Sequence, residues 1–173
     1  MKKIVVLSVI SILFLTGCFN FKLNVNKDNN IKETSYGTYK IDGLVERSDH
    51  STADKLFYSL EKDKNNPRPD NVSVNMGTNY YTKAQHEMFR RAIQEQLYRQ
   101  VGGNAKINGN GLTTTKGNFV YKFLITRDND KTEITQYYII GDYKYVLVYE
   151  TNFSKNPDLD IASYNIVDTF EWK

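Results

Sequence analysis

Between Asn118 and Asn152 hydrophobic and polar positions alternate with a period of two through three successive runs. Phe119, Tyr121, Phe123 and Ile125 alternate with Val120, Lys122, Leu124 and Thr126. Ile134, Tyr138 and Ile140 then alternate with Thr135, Tyr137 and Ile139, and Tyr143, Tyr145, Leu147 and Tyr149 with Lys144, Val146 and Val148. Alternation of β-branched and aromatic residues over this length predicts strands. Asp128-Asn129-Asp130 predicts the first joint, and Gly141-Asp142 a two-residue type II′ turn, whose first position needs φ > 0 and favours glycine. The pattern is that of a three-stranded antiparallel meander. Both of its faces carry apolar residues, so at least one lies under helices.

The flanking segments read as completing and covering this sheet. Shorter runs predict strands at Tyr36–Ile41, Lys55–Leu60 and Asn71–Met76, the last two separated by the polar, proline-containing loop Glu61–Asp70. After Thr82 the period changes to 3.6. Thr82-Lys83-Ala84-Gln85 fits a capping box, and Phe89, Ala92, Ile93 and Leu97 form one stripe, extended by Met88 and Val101. Glu87→Arg91 and Glu95→Arg99 are i,i+4 pairs, and Gly102-Gly103 stops the helix. Asn108-Gly109-Asn110-Gly111 predicts a turn between Lys106–Ile107 and Leu112–Thr115, and Lys116-Gly117 another. Asn156 and Pro157 predict the start of a second helix, with Leu159, Ala162, Ile166 and Phe170 as its stripe. Trp172 is placed to anchor that end against the sheet.

The N-terminus is of another kind. Lys2 and Lys3 precede an uncharged apolar run from Ile4 to Leu15, shorter than the roughly 20 residues of a membrane-spanning helix, which reads as an export signal. Leu15-Thr16-Gly17-Cys18 resembles the lipobox of bacterial lipoproteins. The resemblance implies cleavage between Gly17 and Cys18, a diacylglyceryl group on the Cys18 thiol and a fatty acyl chain such as palmitate on the freed amine. Two or more chains anchor stably, at about 0.8 kcal/mol per buried CH₂. The expected organisation is a signal peptide at 1–17, a lipidated Cys18 with a flexible Asn- and Lys-rich tether at 18–34, and one domain at 35–173. The protein is then exported and lipid-anchored to the cell membrane or the outer membrane.

Charge and chemistry narrow the function mostly by exclusion. Lys and Arg number 23 against 20 Asp and Glu, and two of those lysines lie in the leader, so no basic excess points to nucleic acid. Cys18 is the only cysteine, which leaves no intramolecular disulfide. With two histidines and one lipid-modified cysteine, neither a His/Cys zinc set nor a Cys–His dyad is expected. Asp128, Asn129, Asp130 and Glu133 lack the glycine and distal glutamate of an EF-hand loop, and the glycines near Asn108 lack the lysine of a phosphate loop. No metal, cofactor or catalytic residue is assigned. His50, in Glu46–Asp54, reads as a loop residue and His86 as a packed, hydrogen-bonded one. The compositional oddity is the thirteen tyrosines, which have two readings. They line a half-buried sheet, or Tyr80, Tyr81, Tyr137 and Tyr143 form a partner surface or line a small-ligand cleft.

The layout as a whole resembles the PsbP-like fold, which includes bacterial DcrB-like lipoproteins, photosystem oxygen-evolving accessory proteins and a eukaryotic family that binds the GTPase Ran. Asn71–Val74, Gln136–Tyr149 and Ile166–Phe170 carry the likeness, which extends from about Tyr36 to Lys173. It implies an α+β domain, an αβα sandwich whose central antiparallel sheet is covered by helices, and a role as adaptor. The expected function is therefore a non-enzymatic, membrane-anchored envelope lipoprotein that binds another envelope protein. The alternative is a tethered small-ligand or carbohydrate binder, or a hydrolase whose carboxylates cannot be paired from sequence.

Overall fold

The computed structural model describes residues 30–102, 105–127 and 133–173. The expected leader, Cys18, most of the tether and the Asp128-Asn129-Asp130 turn lie outside the described residues. The described residues open with three short strands, β1 (Ile31–Glu33), β2 (Gly37–Lys40) and β3 (Leu44–Glu46). β4 (Lys55–Leu60) and β5 (Asn71–Thr78) lead to helix α1 (His86–Val101). The meander region holds four strands, β6 (Ala105–Thr113), β7 (Phe119–Arg127), β8 (Glu133–Ile140) and β9 (Lys144–Asn152). Helix α2 (Pro157–Thr169) and the two-residue β10 (Glu171–Trp172) close the chain. Among the described residues no helix is long and apolar enough to cross a membrane.

Seven strands form one antiparallel sheet in the order β3-β4-β5-β9-β8-β7-β6, and β1-β2-β10 form a second, small sheet. From β5 the chain passes through α1 to the far edge, enters β6, and returns strand by strand until β9 lies beside β5, with Val74 opposite Val148. The meander is thus the half of the sheet that brings the chain home.

Period-two alternation gives the sheet two different faces. On one side Val72, Val74, Val120, Tyr137, Ile139, Val146 and Val148 pack against Leu159, Ala162, Ile166 and Val167 of α2 and against Tyr36, Tyr39 and Phe170 near the small sheet. On the other, Tyr121, Phe123, Ile125, Tyr138 and Ile140 pack against Phe89, Ile93 and Leu97 of α1. Strand residues joining the second cluster come from β6 to β9 only; β5 turns Asn71, Ser73 and Asn75 to that side. Each helix therefore covers part of one face, with the small sheet completing the α2 side.

Helix ends follow their sequence signals. The capping box at Thr82 is formed, opening a short 3-10 turn, Lys83–Gln85, ahead of α1. Gly102, the C-cap residue, ends the helix with a positive φ of 71° that glycine adopts without strain. Asn156 accepts from Asp158 N at 3.1 Å, and Pro157 takes the first turn of α2.

Several expectations are corrected. Asn108-Gly109-Asn110-Gly111 is no turn but the middle of the nine-residue β6, because the facing strand lays aromatic rings over the glycines. Gly109 lies opposite Phe123 and Gly111 opposite Tyr121, and a Cβ on Gly109 would come within 2.8 Å of the Phe123 ring. Such aromatic cover offsets the weak strand preference of glycine. At the β8–β9 joint the left-handed residue is Tyr143, at φ 57°, so the turn is not type II′. Gly141 is needed for space instead: a Cβ there would meet Lys144 Cγ at 2.9 Å and Trp172 Cζ2 at 3.0 Å. Ala92 and Met88 are exposed, which narrows the α1 stripe to Phe89, Ile93 and Leu97, with Val101 packed against it as expected. Glu87 pairs with Arg90, three residues on, rather than with Arg91, whereas Glu95 meets Arg99 at 3.3 Å as expected. Ile31–Glu33, read as part of the tether, pairs with β2 as β1.

Candidate functional site

The tip of the sheet forms where the end of β5 meets the β8–β9 turn. Asn79 N donates to Tyr143 O at 3.0 Å, and Tyr143 N donates to Tyr81 O at 2.8 Å. Asn79 Oδ1 accepts from Tyr81 N at 2.6 Å, and Asp142 Oδ1 from Lys83 N at 2.8 Å. Two loops separated by some sixty residues of chain are thereby fixed to one another. The Tyr143 backbone, held left-handed where a large side chain is disfavoured, is secured on both its polar groups by this brace. Tyr80 is 78% and Tyr143 58% exposed, so the brace presents two aromatic rings to solvent.

The four tyrosines expected at a partner surface divide. Tyr80 and Tyr143 sit together on the tip. Tyr81 shares their backbone network but turns its half-buried ring inward, 6.2 Å from Phe89 in an edge-to-face contact. Tyr137 is a correction. It is buried beneath α2, 6.3 Å from the Tyr164 ring and with Lys122 Nζ 5.3 Å from its own ring centroid. Its parity in β8 matches Ile139, which fixes it on the α2 side. Burial, with the Glu150 carboxylate beside it, holds the pKa of its hydroxyl well above the ordinary value.

The histidines take structural positions. His86 Nδ1 lies 2.7 Å from Tyr121 Oη, which donates at 2.8 Å to Glu87 Oε1, and the imidazole packs 4.5 Å from the Phe119 ring. Its ring neighbours, Phe119 and Tyr121, both belong to β7. The Tyr121 hydroxyl, pushed up to about 12 by burial and then by Glu87, serves as a hydrogen-bond bridge. His50 lies 3.2 Å from Asp49 and over the Phe57 ring, and Ser51 Oγ accepts from Phe57 N at 2.9 Å. The Ser, Asp and His of that loop serve to hold it.

A buried polar centre was not singled out from the sequence. Glu150, 1% exposed, lies under α2; Ser163 donates to its Oε2, while Oε1 has no hydrogen-bond partner among the described residues. Burial, reinforced by Asp160, pushes the carboxyl up to about 8, against the opposing pull of Ser163 and Lys122. The signal lay in the parity of β9, where Glu150 falls on the same side as Val146 and Val148. Nearby, Asp70 receives Phe153 N at 2.7 Å and Ser154 N at 3.1 Å, tying the β9–α2 connection to the start of β5.

The chemistry available at these places differs. The open cavity on the outer side of α2, about 540 Å³, is lined by Asp42, Leu60, Ile161 and Asn165 among others, and Glu150 does not reach it. Glu150 thus combines a raised pKa with a position outside that cavity. Among the described residues the tip has accessible rings and no paired carboxylates, and Asp142 there is engaged by a backbone donor.

No family model and no curated protein sequence matches the chain. Among solved structures it is similar to the solution structure of cyanobacterial PsbP (CyanoP) from Synechocystis sp. PCC 6803, with a TM-score of 0.53 and 10% identity, over 92% of this chain and 99% of that one. Likeness at that identity speaks for the fold alone. The large antiparallel sheet, its two helices and this match together give the conclusion that the chain has a PsbP-like fold.

Proposed function

We propose that this protein is a non-enzymatic accessory module of the bacterial envelope, held at the membrane by lipid on Cys18, which binds another protein through the aromatic tip. The observation that carries the reading is the pair of exposed rings, Tyr80 and Tyr143, on loops braced by three backbone-donor hydrogen bonds. Rigid aromatic side chains give large contact area at small entropic cost and are enriched in protein interfaces. Lipid attachment raises the local concentration of the domain at the surface, which strengthens a modest contact. The αβα layering and the kinship with DcrB-like lipoproteins belong to this same reading.

The test is crosslinking and affinity recovery of the full-length protein from its own membranes, beside Cys18→Ala and a Tyr80→Ala/Tyr143→Gly double variant. A stoichiometric protein partner, reduced by either change, is expected. If several crosslinkers recover no enriched protein, a tethered small-ligand binder replaces the adaptor.

A further inference from the structure

We propose that the groove between the outer side of α2 and the Asp42-Gly43 turn receives a basic, amphipathic segment of a partner protein. Its floor is apolar, made by Leu60 and Ala162, and Ile161 and Tyr164 stand along it. Ile161 is 69% exposed at the centre of a helix whose inward residues are Leu159, Ala162, Ser163, Ile166 and Val167. A β-branched residue here gains nothing from helix propensity, and its own domain leaves it largely uncovered. The volume of about 540 Å³ holds a few side chains, which suits two anchors one helical turn apart rather than a whole buried helix.

The sign of the partner follows from the charges on the rim. Asp42, Asp158 and Asp168 line the groove, and α2 contains no Lys or Arg. Asp42 accepts from Asn30 and Asn165, and Asp168 from Thr115 N and Oγ1, so these hydrogen bonds orient both carboxylates without neutralising them. Asp168 also sits in the last turn of α2, at the negative end of the helix dipole, and no basic residue shares that turn. A cation is favoured there on both counts. Lys40 and Lys116 neighbour this end in the fold: Lys40 N donates to Thr169 Oγ1, and Lys116, beside Thr115, pairs with Glu171. A segment that places aliphatic side chains beside Lys or Arg matches both the floor and the rim. The groove is separate from the aromatic tip, so either surface can fail without the other.

The test titrates the full-length protein, in non-ionic detergent, into a fluorescent synthetic Leu/Lys amphipathic helix of roughly 18 residues, with a Leu/Glu helix as control. Saturable binding of the Lys peptide that weakens with salt is expected, and no binding of the Glu peptide. Ile161→Lys, at an exposed position, should weaken binding about tenfold, while Tyr80→Ala leaves it unchanged. Equal binding by Ile161→Lys and the unsubstituted protein overturns the proposal, as does equal binding of the Leu/Glu helix. Concentration-dependent self-association abolished by Ile161→Lys also overturns it, by assigning the groove to a second copy of the chain.

Discussion

The two faces of the seven-stranded sheet are built from the same strands and differ in how completely they are closed. The α2 face is sealed by a helix and by the small sheet, with Phe170 stacked on Tyr36 and Tyr39 and edge-on to Trp172. That closure is tight enough to strand a carboxylate, Glu150, beneath the helix. The α1 face relies on a narrow helical stripe against an aromatic ladder in which Phe89 meets Tyr138 and Tyr145. Its β5 portion is polar, and its end opens into the tip where Tyr80 and Tyr143 are exposed. The difference teaches where recognition can evolve cheaply in such a fold. Side chains at the rim of a partly covered face are free to change, while those under the fully covered face are fixed by packing.

The largest test of that contrast compares two aromatic deletions. Phe170→Ala and Phe89→Ala should each cost about 3–5 kcal/mol in urea unfolding. Only Phe170→Ala should also strip hydrogen-exchange protection from β1 and β2 relative to the rest of the sheet. Equal loss of β2 protection in both variants would show that the two faces unfold as one unit. Next in size, Asp70→Ala leaves Phe153 N and Ser154 N without their carboxylate acceptor. A loss of about 1–3 kcal/mol is expected by denaturant titration. A loss below a few tenths would mean that water replaces the carboxylate.

The pH dependence of stability probes the sealed face directly. Glu150 titrates near 8 in the fold and near its ordinary 4.5 when unfolded, chiefly because burial disfavours its charge. Between those values the folded state holds a proton that the unfolded state has released, so stability falls as pH rises from about 4.5 to about 8. This contribution is fully present below the unfolded value and gone above the folded one. Glu150→Gln should flatten that slope and raise the melting temperature at pH 8 and above. An unchanged slope would mean that the carboxyl is solvated despite its burial.

The smallest effect is expected at the open tip. Tyr143→Gly removes an exposed ring and places glycine at φ 57°, so stability should hold or rise by up to about 1 kcal/mol. The same variant should lose partner recovery, which separates recognition from folding.

The meander, both helices and their caps were legible because each rests on local rules. Period-two alternation placed β7, β8 and β9, and Thr82, Gly102, Asn156 and Pro157 marked helix ends by the needs of unpaired backbone groups. Alternation also held the parity that sorts the faces, yet parity cannot say which face a helix will seal. That is why Tyr137 was grouped with Tyr80 and Tyr143 although its ring lies under α2. The strand through Asn108-Gly109-Asn110-Gly111 was illegible for the opposite reason: its glycines are local turn formers, and the rings that cover them belong to the neighbouring strand.

By itself, then, the sequence determined the periodicities, the caps and the polarity of each position, since these depend on neighbours a few residues away. The tertiary structure alone decided the crossover that returns β9 to β5, the bracing of Asn79 and Tyr81 against Tyr143, the burial of Glu150 and the groove on α2. Each of those joins residues far apart in the chain, and a contact between distant segments is set by packing the whole sheet rather than by any local preference.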